Sequence, residues 1–325
     1  MTVLAAAVVV FLAIRAGQVN GIGGHIPIIG GGLQTFTRED TTQVSLSTIT
    51  QMQVCDKIGN VSIKVDQTAS TVSVTTKKIV HMDNQADANQ EFQRIAVEAQ
   101  PPGTITNPLT CSRPQPTATP ASTAGTGTPT PSTGGNGSSA LTVNITLPNS
   151  DGLLHANSDA VDIAITLPPS AVQASGPTML LNVEAPVGNI TVDGLSGIFT
   201  IRGSTGDIDV SHAILASGSE LRTTQGNVTF NGLLAAPPDI KAAATYHISS
   251  EQGTIDVTLP DTTNVILDAN VNVGKINSEF DIPMKSSDGG VTYHGPLNTT
   301  VTPASTATLS LDVSSGTINI HKTQT

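Results

Sequence analysis

The side chains able to do chemistry in this chain are few. Asp207 and Asp209 lie two residues apart in a strand-like phrase, so the period of two places both on one face. Asp256 holds the equivalent place in a later copy of that phrase, and would join the same outer face if the copies lie in register. Carboxylates on an outer strand face suit general acid/base work on a polysaccharide, or the holding of calcium. Yet the other copies carry Ser62, Thr191, Thr200, Thr229, Asn277 and Asn319 at this position, where aspartate is also an ordinary solvated residue. The seven histidines (His25, His81, His155, His212, His247, His294 and His321) show no metal-ligand spacing. No serine sits in a nucleophile elbow, and Asp288–Gly290 reads as a turn. No catalytic residue, metal or cofactor is therefore expected. Cys55 and Cys111 are compatible with one disulfide in an exported chain, or equally with two buried thiols.

The phrase itself organises the chain. It is a glycine, a loosely specified residue, then apolar, polar and apolar residues. It occurs as GNVSI at Gly59, GNITV at Gly188, GIFTI at Gly197, GDIDV at Gly206, GNVTF at Gly226, GTIDV at Gly253 and GTINI at Gly316. GKINS at Gly274 is a weaker copy that ends in serine. The alternation predicts a strand with one buried and one wet face. The glycine predicts a tight corner where a Cβ would clash. One corner per nine residues, at 188, 197 and 206, and one coil per about twenty predict a β-solenoid of stacked short strands. A two-sheet β-sandwich is the alternative.

Composition agrees with an all-β chain. Of 325 residues, 12% are charged and 2% aromatic, with no tryptophan; small, hydroxylated and β-branched residues take their place, favouring strands and turns. The formal charge of −11 leaves no basic patch for phosphates, which argues against nucleic acid. With Tyr246 and Tyr293 as the only tyrosines, a sugar-stacking groove is not expected.

Along the chain, Val3 to Ile14 is an apolar run too short to span a membrane but suited to a signal peptide or anchor whose basic flank is cut off. A glycine-rich tether follows, so residues 1–35 are set apart. Residues 36–112 read as a first β part with one short helix within Asp83 to Ala99, where Ala88, Phe92, Ile95 and Ala96 fall at helical spacing. Residues 113–139 are Pro, Thr, Ser and Gly, with no apolar surface to offset ordering, and are expected to be disordered. Residues 140–325 form the main repeat region, expected to fold as one domain with 36–112.

The phrases at Gly188, the segment Gly253 to Pro260 and the closing Val313 to Ile320 resemble a bacterial family of β-strand-repeat domains of unknown function, the putative adhesins of the toastrack and head-GIN type. The resemblance covers most of Phe36 to Lys322 and supplies no catalytic residues. It implies an exported or membrane-tethered protein at the cell surface or in envelope-stress signalling. The expected function is a non-enzymatic module for adhesion, scaffolding or binding an unknown protein or envelope polymer. It would lie in the extracellular space or cell envelope, meeting the membrane only through its amino-terminal segment. The alternatives are a polysaccharide-acting β-helix enzyme using Asp207, Asp209 and Asp256, or an envelope-stress sensor.

Overall fold

A computed structural model describes residues 33–46, 48–100, 140–148, 159–172, 179–236, 243–287, 290–298 and 307–323. Residues 1–32, the 113–139 tract and Cys111 lie outside these. In chain order the first strands are β1 (Gln34–Val44), β2 (Gln51–Cys55), β3 (Val61–Val65) and β4 (Val72–Met82). Helix α1 (Gln85–Arg94) follows, then β5 (Ala96–Gln100), β6 (Ala140–Thr146) and β7 (Ala160–Leu167). Next come β8 (Met179–Val187), β9 (Ile190–Asp193), β10 (Ser196–Thr205), β11 (Ile208–Leu215), β12 (Ser219–Gln225) and β13 (Val228–Leu234). The last are β14 (Thr245–Pro260), β15 (Ile266–Ser278), β16 (Lys285–Ser287), β17 (Gly290–Pro296) and β18 (Thr308–Thr323). The chain is all-β with a single α-helix among the described residues.

Parallel pairing dominates. One ladder runs β6–β2–β8–β10–β12–β14. A second runs β7–β3–β9–β11–β13–β14. The two halves of β14 serve one ladder each, and β10 also meets the end of β11. Strands β10, β12, β14, β13 and β11 thus close a ring of five parallel strands, with the rest outside it. Beyond β14 lie β18 and then β15, each parallel to its neighbour along its length. The antiparallel hairpins that a sandwich would use throughout are confined to the ends, in β1–β4–β7, β5–β6 and β15–β17–β16.

The registers place like residues in rows. Ile163, Val61, Ile190, Ile208, Val228, Ile255, Ile318 and Ile276 form one inward row. Ile165, Ile63, Val192, Val210, Phe230, Val257 and Ile320 form the next, all essentially without exposure. Burying each of these side chains contributes roughly 1.5–3 kcal/mol, and the rows make a continuous core without large aromatics. Ser278 ends the second row on β15, the outermost strand of the parallel ladder, and Phe280 and Ile282 are buried just beyond it in the chain.

Helix α1 starts at the N-cap Asn84, whose side chain accepts from Ala86 and Asp87, and buries Ala88 and Phe92. It ends one residue before β5. Lys78 of β4 donates to Phe92 O and Ile95 O at 3.1 and 2.9 Å, supplying the helix C-terminus with a cation. Residues from Gln34 onward form one compact unit, in which β2 and β3 sit between segments from beyond residue 139. Among the described residues no helix is long and apolar enough to cross a membrane.

Candidate functional site

The corner glycines form a column. Gly59, Gly188, Gly206, Gly226, Gly253, Gly316 and Gly274 follow one another, each with positive φ. A Cβ on Gly226 would lie 2.1 Å from Gly206 O, and one on Gly253 would lie 2.0 Å from Gly226 O. A carbonyl oxygen occupies the space a side chain would need, so glycine is required at these corners. Gly197 stands apart. It opens β10 beside Met179 O, away from this column.

The residue after the first four of these glycines is not loosely specified, as the phrase alone suggested. Asn189 N donates to Asn60 Oδ1 at 2.9 Å, Asp207 N to Asn189 Oδ1 at 2.9 Å, and Asn227 N to Asp207 Oδ1 at 2.7 Å. Thr254 N then donates to Asn227 Oδ1 at 2.9 Å, while Asn60 is held in turn by Asp162 Oδ1. At these five corners, from Asn60 to Thr254, a side-chain oxygen of the neighbouring coil satisfies the backbone N–H. The signal was present in the sequence: Asn, Asn, Asp, Asn at one offset from glycine.

This corrects the expected pairing of Asp207 with Asp209. Asp207 sits in the corner before β11 with its carboxylate committed to Asn227, whereas Asp209 points outward from the strand. Asp207→Ala should cost about 1 kcal/mol in denaturant unfolding, and Asp207→Asn, which keeps the accepting oxygen, close to nothing. Equal losses in the two variants would refute the ladder's role.

The outer row of the second ladder reads Ala164, Ser62, Thr191, Asp209, Thr229, Asp256, Asn319, Asn277. Thr229 therefore separates Asp209 from Asp256, about 9–10 Å at two strand spacings. Asp256 is already engaged, accepting from Asn319 Nδ2 at 2.6 Å, and Asn277 Nδ2 donates on to Asn319 Oδ1 at 2.7 Å. Thr200, aligned with this row in sequence, belongs instead to the first ladder. The three aspartates do not converge.

Every described histidine has a carboxylate neighbour. His212 Nδ1 lies 2.7 Å from Asp193 Oδ1, on a bulge that gives His212 the one positive φ among described non-glycine residues. His321 lies between Asp256 and Glu279. Glu279 is held below its ordinary value, first by the Lys322 backbone N–H and then by His321. His247 and His294 lie 3.6 and 3.8 Å from Asp312 and Asp268. Asp268, His294 and Asp312 line an open cavity of about 680 Å³ with Asn270, Thr292 and Pro283. Among the described residues no three His, Cys, Asp or Glu side chains are placed to hold a metal ion.

Three buried acids, Asp56, Glu91 and Asp159, escaped sequence reasoning. Asp159 is raised to about 6, chiefly by burial and then by Glu91, which lies on the buried side of α1 and is bonded to Arg94 at 3.2 Å. Asp56 is 2% exposed, and burial raises it to about 7. The Lys57 and Ile58 N–H groups offset this in part, although neither oxygen makes a hydrogen bond of good geometry. Asp56 stands three residues before Gly59. The same offset from Gly226 and Gly253 is filled by Thr223 and Ser250, whose hydroxyls donate to Gly206 O and Gly226 O at 3.1 and 2.8 Å. Cys55, next to Asp56, is disulfide-bonded.

No family model matches the chain, and no curated protein matches it. Two solved structures are similar to it. One is a putative cell adhesion protein from Clostridium sporogenes, 11% identical, with 89% of this chain and 100% of that one covered at a TM-score of 0.41. The other is a putative adhesin from Bacteroides fragilis, also 11% identical, with 88% and 97% covered at a TM-score of 0.32.

Proposed function

We propose that the chain is a non-enzymatic β-repeat module, a β-solenoid-like scaffold that presents registered polar rows to a partner at the cell surface. The observation that carries this reading is where the polar chemistry goes. The corner Asn and Asp side chains, and the hydroxyls of Thr223 and Ser250, are spent on joining one coil to the next. What remains outward is a flat face of Thr, Ser, Asn and Asp with strand spacing, suited to hydrogen bonding with a protein or an envelope polymer. The disulfide at Cys55 and the apolar run Val3 to Ile14 favour export to an oxidising compartment and tethering near the membrane.

The test is binding of the purified full chain to isolated cell envelopes. Thr229→Lys with Asp209→Lys, which disrupts the outer row without touching the core, is expected to weaken retention at least tenfold. Unchanged retention would remove this face from the proposal. The polysaccharide-hydrolase reading is weaker, because Asp207 is committed to a corner and Asp256 to Asn319. Release of reducing ends from envelope polysaccharide, abolished by Asp209→Asn, would restore it.

A further inference from the structure

The outer face of the first ladder departs from the short polar residues that cover the second. Beyond residue 139 the only arginines are Arg202 and Arg222, and Glu184, Glu220 and Glu251 leave Glu279 as the one other glutamate. These five long side chains gather on one face. The register sets Arg202 of β10 directly opposite Arg222 of β12, with Glu184 of β8 opposite Arg202 on its other side. Like charges directly opposite each other on neighbouring strands are destabilising, so the ladder itself does not call for this pair. Arg202 Nη2 meets Glu220 Oε2 at 2.7 Å, and Arg222 Nη2 meets Glu251 Oε1 at 3.0 Å. Both ion pairs are open to solvent, where such pairs contribute little to stability.

Arg202, Arg222, Glu184 and Glu220 wall an open cavity of about 370 Å³. Ser204 and Thr224 add hydroxyls two residues further along the same strands, and Gly203 puts no side chain into the space. Each arginine meets its glutamate through a single nitrogen, which leaves most of its guanidinium donors for a ligand. Neighbouring strands lie about 4.8 Å apart, so the two forks serve one planar acid group, the shape that arginine grips best. Glu184 and Glu220 set a second condition. They accept hydrogen bonds and repel a dianion, so the ligand that fits carries a single charge with hydroxyl donors beside it. A phosphate monoester brings too much charge, and a run of acidic side chains brings further carboxylates where hydroxyls are wanted.

We propose that this cavity binds an acidic saccharide, with a hexuronate carboxylate between the guanidiniums of Arg202 and Arg222 and ring hydroxyls donating to Glu184 and Glu220. Ser204 and Thr224 bond to further hydroxyls, and Pro186, which also lines the cavity, gives the ring an apolar contact. The sugar is held by charge and hydrogen bonds, with no aromatic platform beneath it. The site lies on the first ladder, whereas the row through Asp209 and Thr229 lies on the second. It therefore goes beyond the partner-binding face proposed above and stands or falls separately.

The test is calorimetric titration of the full chain with an unbranched oligogalacturonate, and with the same oligomer methyl-esterified, which keeps the hydroxyls and removes the charge. The expected result is saturable binding of the acid oligomer, with the ester weaker by about tenfold or more. Arg202→Gln should weaken binding of the acid oligomer by about tenfold or more. Ser204→Glu, which leaves both arginines in place and adds a like charge to the ligand's at the cavity, should do the same. Both positions are exposed, so thermal melts of the two variants should match the parent's. No binding by the parent chain overturns the proposal. So does equal binding of acid and ester, or binding that both variants leave unchanged. Tighter binding of inorganic phosphate or of a glutamate tetrapeptide also overturns it, since the arginine pair then serves another anion. Retention on envelopes through Thr229 is decided by its own variant and is untouched by any of these outcomes.

Discussion

Gly226→Ala is expected to destabilise the chain by about 4 kcal/mol or more, lowering the unfolding midpoint by about 10 °C. The added Cβ would fall 2.1 Å from Gly206 O and 3.2 Å from Asp207 Oδ1, and the backbone there has φ +148°. The carbonyl cannot retreat, because it belongs to the next corner of the same column, and the shift would also disturb the Asn227–Asp207 hydrogen bond. Gly218→Ala provides the comparison. It too has positive φ, +93°, but the nearest atom to a Cβ there is a methyl of Ile198 at 3.8 Å. Only backbone strain is added, about 1–2 kcal/mol. Circular dichroism melts of the two variants decide the matter. If they lose equal stability, close packing of the corner column is not what requires glycine.

Raising pH should weaken the fold through Asp56. Its carboxyl titrates at about 7 in the folded chain against an ordinary 3.8. Between these values the folded state holds a proton that the unfolded state has released, so stability falls as pH climbs from about 4 through 7. The full effect is about 4 kcal/mol. Geometry explains why the proton is retained. The space beside Gly59 holds both Asp56 Oδ2 and Val161 O, 2.7 and 2.0 Å from where a Cβ would lie. In the corresponding corner at Gly253 these places belong to Ser250 Oγ, a donor, and Gly226 O. A protonated Asp56 can play the serine's part, whereas an ionised one sets two acceptors together, with the Asp162 charge facing it from β7. Asp56→Ser should therefore be as stable as the parent near pH 5 and more stable at pH 8. A pH profile for Asp56→Ser parallel to the parent's would refute the assignment.

The repeating apolar positions were legible because they obey two local rules, alternation along a strand and glycine at a corner. Ile190, Val192, Ile208 and Val210 could be assigned to the interior from spacing alone. Which copies are neighbours could not be read in this way. The phrases at Gly253 and Gly274 are adjacent in sequence, but the phrase at Gly316 separates them in space. The candidate site suffered from the same blindness. Asp207 and Asp209 looked equivalent because period-two reasoning treats a corner residue as part of the strand, and only the hydrogen bond to Asn227 separates them. Asp56 and Asp159 gave no warning, since an isolated acidic residue beside a strand ordinarily faces water.

The placement of β2 and β3 has a consequence for the order of synthesis. Gln51 meets Ala140 on one side and Leu180 on the other, and Val61 meets Ile163 and Ile190. When the ribosome has made the first coil, neither of its neighbours exists. Its edges must wait for more than a hundred further residues before both are covered. A repeat chain laid down strictly in sequence could grow one coil at a time behind the ribosome. This one cannot begin that way: the region carrying β2 and β3 is committed to fold late, with its central residues exposed to whatever holds unfolded chains in the meantime.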